Sequence, residues 1–237
     1  MTERGRDSLS RTADTFQLGP SQARWDGREL VVSIDETAAP FPRRLRGEVR
    51  LTPRCLTGTE FDLDPAGRHR WRPVAPVADV TVSFEHPSWS WRGAGYLDSN
   101  DGDEPLGAAF RSWTWSRARS GEDAVVLYDT VHADGGQAGL AIRIAPNGTV
   151  HPMADSPVAP LPPTRIWRIP RSTRADTGAP AQIIKTLEDA PFYARSLITT
   201  QLAGQSLQAV HESLSLTRLR QPAVKLMLPF RMPRQLW

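Results

Sequence analysis

The residues best suited to chemistry are crowded between Trp89 and Trp115: Trp89-Ser-Trp91-Arg-Gly-Ala-Gly95-Tyr96-Leu-Asp98-Ser-Asn100-Asp101-Gly102-Asp103-Glu104-Pro105-Leu106, then Phe110 and Trp113-Thr-Trp115. Half of the eight tryptophans lie here. On a strand, residues two apart point to the same side, so Trp89 with Trp91, Trp113 with Trp115, and Tyr96 with Asp98 each share a face. That spacing predicts a carboxyl group beside an aromatic wall. A carboxyl in apolar surroundings is held neutral because burial disfavours its charged form, which suits it to give up a proton as a general acid. The plainer reading of the same residues is a strand end with core tryptophans and a polar turn, in which Asp98 caps Ser99-Asn100.

Other chemistries fail on spacing. Asp98, Asn100 and Gly102 begin like a calcium loop, but the glycine comes one position early and the twelfth residue is Ala109, not a glutamate. His211-Glu212 lacks the second histidine of a zinc-protease helix, and there is no Gly-x-Ser-x-Gly elbow or glycine-rich phosphate loop. Asp101, Asp103 and Glu104 are expected to face solvent, and His86, His132, His151 and His211 to be structural.

The elements that must hold these residues are strands. The 237 residues are 39% hydrophobic and 23% charged, a folded composition large enough for one big domain or two small ones. The single cysteine, Cys55, excludes a disulfide framework. There is no apolar run long enough to span a bilayer, and Met1 to Arg11 lacks the apolar middle of a secretion signal, so a cytoplasmic protein is expected. Formal charge is only +3, and 27 of the 29 basic residues are arginine, a bias read as base composition; nucleic acid is not expected as a partner.

Period-two apolar patterns predict strands at Leu30-Val32-Ile34, Leu45-Val49-Leu51 and Val80-Val82-Phe84. Further strands are expected at Ala124 to Val131, Gly139 to Ile144, Arg165 to Ile169, Gln182 to Leu187, Arg195 to Leu202 and Gln205 to Leu216. Asp26-Gly27, Asp134-Gly135-Gly136, Asn147-Gly148 and Ala203-Gly204 suit hairpin turns, so neighbouring strands run antiparallel. The fold class is therefore all-β, with barrels favoured over a sandwich because closure removes edges. Pro152 to Pro163, with five prolines, is expected to be an extended connector without a ladder. The end of the chain, with Arg218, Arg220, Lys225, Arg231 and Arg234 among apolar residues, fits either peripheral contact with an anionic membrane or a segment packed on the fold.

The stretch Gly93 to Trp115, with Leu187-Glu-Asp-Ala-Pro-Phe-Tyr-Ala-Arg-Ser196, Val210-His-Glu-Ser-Leu-Ser-Leu216 and Leu228-Pro-Phe-Arg-Met-Pro-Arg234, resembles the carotenoid 1,2-hydratases, or hydroxyneurosporene synthases. The resemblance covers essentially the whole chain. It implies two antiparallel lipocalin-like β-barrels, placed at residues 1–107 and 108–237, with the first incomplete because family chains carry a further segment before the position of Met1. It also implies a hydro-lyase that adds water, without a cofactor, to the terminal C1=C2 double bond of acyclic carotenoids such as neurosporene and lycopene. The family's His-x-Trp and Tyr-x-Asp pairs match His69-Arg70-Trp71 and Tyr96-Leu97-Asp98. These four are the expected catalytic residues: Asp98 as acid, Trp71 and Tyr96 facing the cation, His69 handling water. The other expectation is a non-catalytic lipocalin-like carrier of an apolar ligand. Under either, the protein would sit in the cytoplasm, with peripheral contact at a bacterial inner membrane.

Overall fold

The structure is a computed structural model that describes residues 2–38, 41–227 and 232–233. Strands make up most of the chain, in chain order β1 (Thr2–Glu3), β2 (Leu9–Arg11), β3 (Thr15–Leu18), β4 (Ser21–Trp25), β5 (Leu30–Thr37), β6 (Arg44–Pro53), β7 (Phe61–Asp62), β8 (His69–His86) and β9 (Trp89–Gly102), the longer ones such as β5 and β8 with alternating apolar residues. There follow the short helix α1 (Leu106–Ala109), then β10 (Phe110–Ser120), β11 (Asp123–His132), β12 (Gln137–Ile144), β13 (Val150–Pro152), β14 (Val158–Leu161), β15 (Arg171–Arg174), β16 (Gln182–Asp189), β17 (Tyr193–Leu202) and β18 (Gln205–Ser215). The helices α2 (Leu216–Leu219) and α3 (Pro222–Met227) and the strand β19 (Met232–Pro233) complete the order. The all-β, antiparallel expectation holds.

The chain forms two compact units. The first comprises residues 1–56, 75–97 and 226–237, the second residues 57–74 and 98–225. In the first, β2 to β6 form an antiparallel meander, and β6 pairs with the later part of β8, Val49 opposite Val82. Its core holds Leu51, Ala75 and Ala78, with Leu30 and Leu97 packed against them. Trp89 and Trp91 share a face as their spacing demands, stacked at 6.5 Å with Phe84 continuing the stack at 5.5 Å. Both tryptophans are exposed, however, so they are not the wall beside the acid.

The second unit is built on a seven-stranded sheet in the order β13-β12-β11-β10-β18-β17-β16. Its core contains Val125, Leu127, Leu161, Ile198, Leu202, Leu207 and Ala209, the inward residues of their strands. Burying one such side chain contributes roughly 1.5–3 kcal/mol, which is why strict alternation selects the register. Among the described residues the ladder of this sheet runs from β13 to β16 without a bond between those end strands.

The turns explain the antiparallel order. At Ala203-Gly204 both residues have positive φ (52° and 76°), and the Asp176 carboxylate accepts from their two N–H groups at 2.9 and 2.7 Å. This is the geometry that two-residue hairpins require.

Two sequence expectations are corrected. Arg165 to Ile169 is not a strand: Arg168 takes a left-handed conformation (φ 52°), and the N–H groups of Ile166 and Trp167 donate to the Asp189 carboxylate instead of a ladder. The proline-rich segment does form a ladder, because Val158–Leu161 pairs with Arg171–Arg174 in a separate two-stranded sheet. In such a pair, Pro160 can turn its donor-less nitrogen away from its only neighbour.

Candidate active site

Three of the four expected residues lie in the second unit. His69 and Trp71 open β8, whose first residues alternate between buried and half-buried positions, so both side chains enter the interior while Arg70 and Arg72 stay on the other face. Both are fully buried. The inward orientation is secured upstream, where the buried Asp64 carboxylate accepts the backbone N–H groups of Ala66 and His69 at 2.9 and 2.7 Å. Burial alone would raise the Asp64 pKa, but those N–H donors outweigh it and hold the group below its ordinary value.

Trp71 reaches Asp98 on β9, its indole Nε1–H donating to Asp98 Oδ2 at 2.8 Å. The Trp71 ring lies 5.5 Å from Phe61 and 5.8 Å from Tyr128, the latter edge-on, so the wall beside the acid consists of Phe61, Trp71 and Tyr128. Tyr128 is buried and its hydroxyl donates to Asn100 Oδ1 at 3.4 Å. Burial above all pushes the Tyr128 hydroxyl well above its usual pKa, so it remains a proton-bearing group at any physiological pH.

His69 is packed edge-on against Phe110 at 5.0 Å. Among the described residues neither ring nitrogen makes a hydrogen bond; Glu104 Oε1 lies 3.7 Å from Nε2. Buried polar atoms without partners are uncommon and tend to mark sites where something else must bind. His69 has room only because Gly102 on β9 lacks a side chain: a Cβ there would stand 2.8 Å from His69 Cε1 and overlap Nδ1.

Tyr96 is half-buried, two residues before Asp98 on β9 and on the same side of that strand, and belongs to the first unit. The acidic residues expected in solvent are partly engaged. Arg70 binds Asp101 at 2.7 Å and Asp103 at 3.1 Å, and this contact holds the Asp103 carboxyl below its usual range. Glu104 is largely covered, paired with Arg68 at 2.9 Å beside His69. Among the other histidines, His132 and His211 are buried on the carbonyls of Leu63 and Ser172, while His86 and His151 are exposed. Phe61, Tyr128, Glu104 and Gly102 escape a reading of the sequence. Only Gly102 carries a local signal, a glycine inside a strand.

The second unit also contains a half-open cavity of about 1110 Å³, whose lining includes Phe61, Trp113, Asp129, Arg171, Arg174 and Ser213. None of His69, Trp71, Tyr96 and Asp98 contributes to its lining. Among the described residues no group of three or more His, Cys, Asp or Glu side chains is placed to hold a metal ion, and no helix is long and apolar enough to cross a membrane. Of the basic tail, Arg218 donates to the carbonyls of Trp167 and Arg168 and Arg220 to that of Gly107. Arg231 and Arg234, with most of the Leu228–Arg234 motif, lie outside the described residues.

The fold is that of a class of lipocalin-like β proteins. A candidate AttH from Nitrosomonas europaea matches with a TM-score of 0.59 at 13% identity, over 89% of this chain and 72% of that one. CghA bound to Sch210972 matches with a TM-score of 0.50 at 14% identity, over 88% and 70% of the two chains. Sequence narrows the class. The profile of the carotenoid hydratase CrtC family matches residues 1–237, and the chain belongs to that family. The acyclic carotenoid 1,2-hydratases of Thiocapsa roseopersicina and Rubrivivax gelatinosus are 49% and 44% identical, each over 99% of this chain. The chain spans 58% of the length of each. That of Rhodobacter capsulatus is 42% identical over 99% of this chain and 84% of its own length.

Proposed function

We propose that the protein hydrates the terminal C1=C2 double bond of an acyclic carotenoid, neurosporene or lycopene, giving a 1-hydroxy carotenoid without a cofactor. The observation that carries this reading is the hydrogen bond from the buried Trp71 to Asp98 within a ring of aromatic side chains, beside a buried His69 whose nitrogens make no hydrogen bond among the described residues. Asp98, in its protonated form, delivers its proton to C2. The resulting tertiary cation at C1 faces the ring electrons of Trp71 and Tyr96, a contact worth about 2 kcal/mol when desolvated. Water adds to C1 as His69 accepts its proton, and a proton returned to Asp98 restores the acid, so one water is consumed per double bond. The bond from Trp71 fixes the Asp98 carboxyl in one orientation, which the proton transfer needs.

The test is incubation of the purified protein with lycopene and with neurosporene in heavy water, followed by mass analysis. Deuterium incorporated with a new hydroxyl identifies the reaction. Asp98→Asn should lower the rate by about 10² or more with the fold intact, the usual size of a general-acid contribution. A carrier of an apolar ligand assigns no task to Asp98, and under that reading the variant would bind carotenoid as well as the parent while neither forms product.

A further inference from the structure

The cavity of the second unit is electrically unbalanced. Its lining includes four arginines, Arg111, Arg171, Arg174 and Arg218, against two carboxylates, Asp129 and Asp155. Both carboxylates are taken by one of the four: Arg174 binds Asp129 at 2.6 Å and also pairs with Asp155. The other three make no ion pair among the described residues. Arg111 and Arg218 donate to main-chain carbonyls near the protein surface.

Arg171 is different because it is buried, 7% exposed, and every acceptor it has is neutral. Its Nε–H donates to the Pro162 carbonyl at 2.8 Å, and its Nη1 group to the hydroxyls of Thr186 and Ser196, each at 2.9 Å. A guanidinium carries five N–H donors. The two on Nη2 have no acceptor among the described residues. Ser213, also on the lining and 2% exposed, has a buried hydroxyl without a partner. Burial lowers the Arg171 pKa and the charge of Asp189, which forms no ion pair with it among the described residues, opposes that shift; the guanidinium stays charged, and a buried charge without a direct counter-ion is costly. The rest of the lining mixes hydroxyl-bearing residues such as Thr114, Thr130 and Ser172 with an apolar part, Phe61, Trp113, Leu140, Ile142, Met153 and Ile169. The volume, about 1110 Å³, lies slightly above the roughly 300–1,000 Å³ usual for small-molecule sites.

We infer that this cavity binds a single-chain anionic amphiphile, whose carboxylate or phosphate headgroup meets Arg171 and Ser213 while its hydrocarbon chain lies on the aromatic and aliphatic wall. A neutral polyene would offer Arg171 no direct counter-charge, so this ligand is distinct from the substrate of the proposed hydration. The inference does not rest on that reaction.

The test uses the full chain and three probes with equal alkyl chains: palmitate, hexadecyl phosphate and methyl palmitate, each titrated by calorimetry. The expected result is that one or both anions bind about tenfold or more tighter than the ester, the size of one charge-assisted bond. Which anion binds tighter identifies the headgroup. Arg171→Gln should erase the preference, and Ser213→Leu, which fills the cavity without removing a made bond, should weaken all binding. Circular dichroism establishes that each variant folds, and Ser213→Leu decides the matter if Arg171→Gln does not. Equal affinity for ester and anions, no binding at all, or anion binding unchanged in Ser213→Leu would overturn the inference. Carotenoid hydration measured alongside should be unchanged in Ser213→Leu, which separates the fate of this site from that of Asp98.

Discussion

Replacing Gly102 with alanine probes how His69 is held. The backbone at Gly102 is not in the left-handed region, so alanine is conformationally acceptable and the effect is steric alone. The new Cβ would overlap His69 Nδ1 and lie 2.8 Å from His69 Cε1 and 3.2 Å from the Arg68 carbonyl, where ordinary contact begins near 3.4 Å, so the ring must retreat by about 1 Å. It has nowhere to go, since the His69 side chain is 1% exposed and abuts the fully buried Phe110. Such overpacking costs about 1–3 kcal/mol. At 2–4 °C per kcal/mol for a chain of this size, Tm should fall by roughly 2–12 °C. Displacement of a reacting group on this scale lowers turnover by up to about 10²-fold. Thermal unfolding followed by circular dichroism and the hydration rate on lycopene read the two effects. Gly58→Ala, where nothing lies within 4 Å, serves as the neutral control. A Gly102→Ala protein that melts and turns over like its parent would refute the packing argument and the role of His69 together.

Trp71→Phe keeps an aromatic ring, though a smaller one, and deletes the N–H donated to Asp98; turnover should fall about tenfold or more with KM nearly unchanged, as steady-state kinetics would show. Burial, reinforced by the Arg171 charge, depresses the His211 pKa below its usual 6.5. The unfolded chain therefore binds the proton more readily, and this contribution to stability is full above pH 6.5 and shrinks as pH falls from there toward the folded value. Urea unfolding between pH 7.5 and 5.5 should show a shallower decline in His211→Gln than in the parent. Ala203→Gly relieves a left-handed residue and should raise stability by about 1 kcal/mol, or about 2–4 °C in Tm.

The strands and most turns were legible because both are local signals: Val80-Val82-Phe84 alternates, and Asp26-Gly27 and Ala203-Gly204 admit positive φ. The misreadings arise where a distant partner decides. Arg165 to Ile169 has the composition of a strand, but Asp189, more than twenty residues on, captures its N–H groups. Pro160 sits in a ladder because only one side of its strand is paired. Tyr96 and Asp98 stand out by their own spacing, whereas His69 and Trp71 were recognisable only through family resemblance; nothing local distinguishes them from a packed pair. Phe61, Tyr128 and Glu104 join the site through tertiary contacts that no periodicity encodes.

The interleaving of residues 57–74 and 98–225 around 75–97 means that the chain is not modular along its length. No single proteolytic nick or gene truncation yields a contiguous fragment that contains one whole unit and none of the other's central hairpin. Tyr96 and Asp98 fall on opposite sides of one such seam, at the bond between Leu97 and Asp98. Exchange of halves between relatives would therefore have to preserve β8 and β9 as one inherited piece.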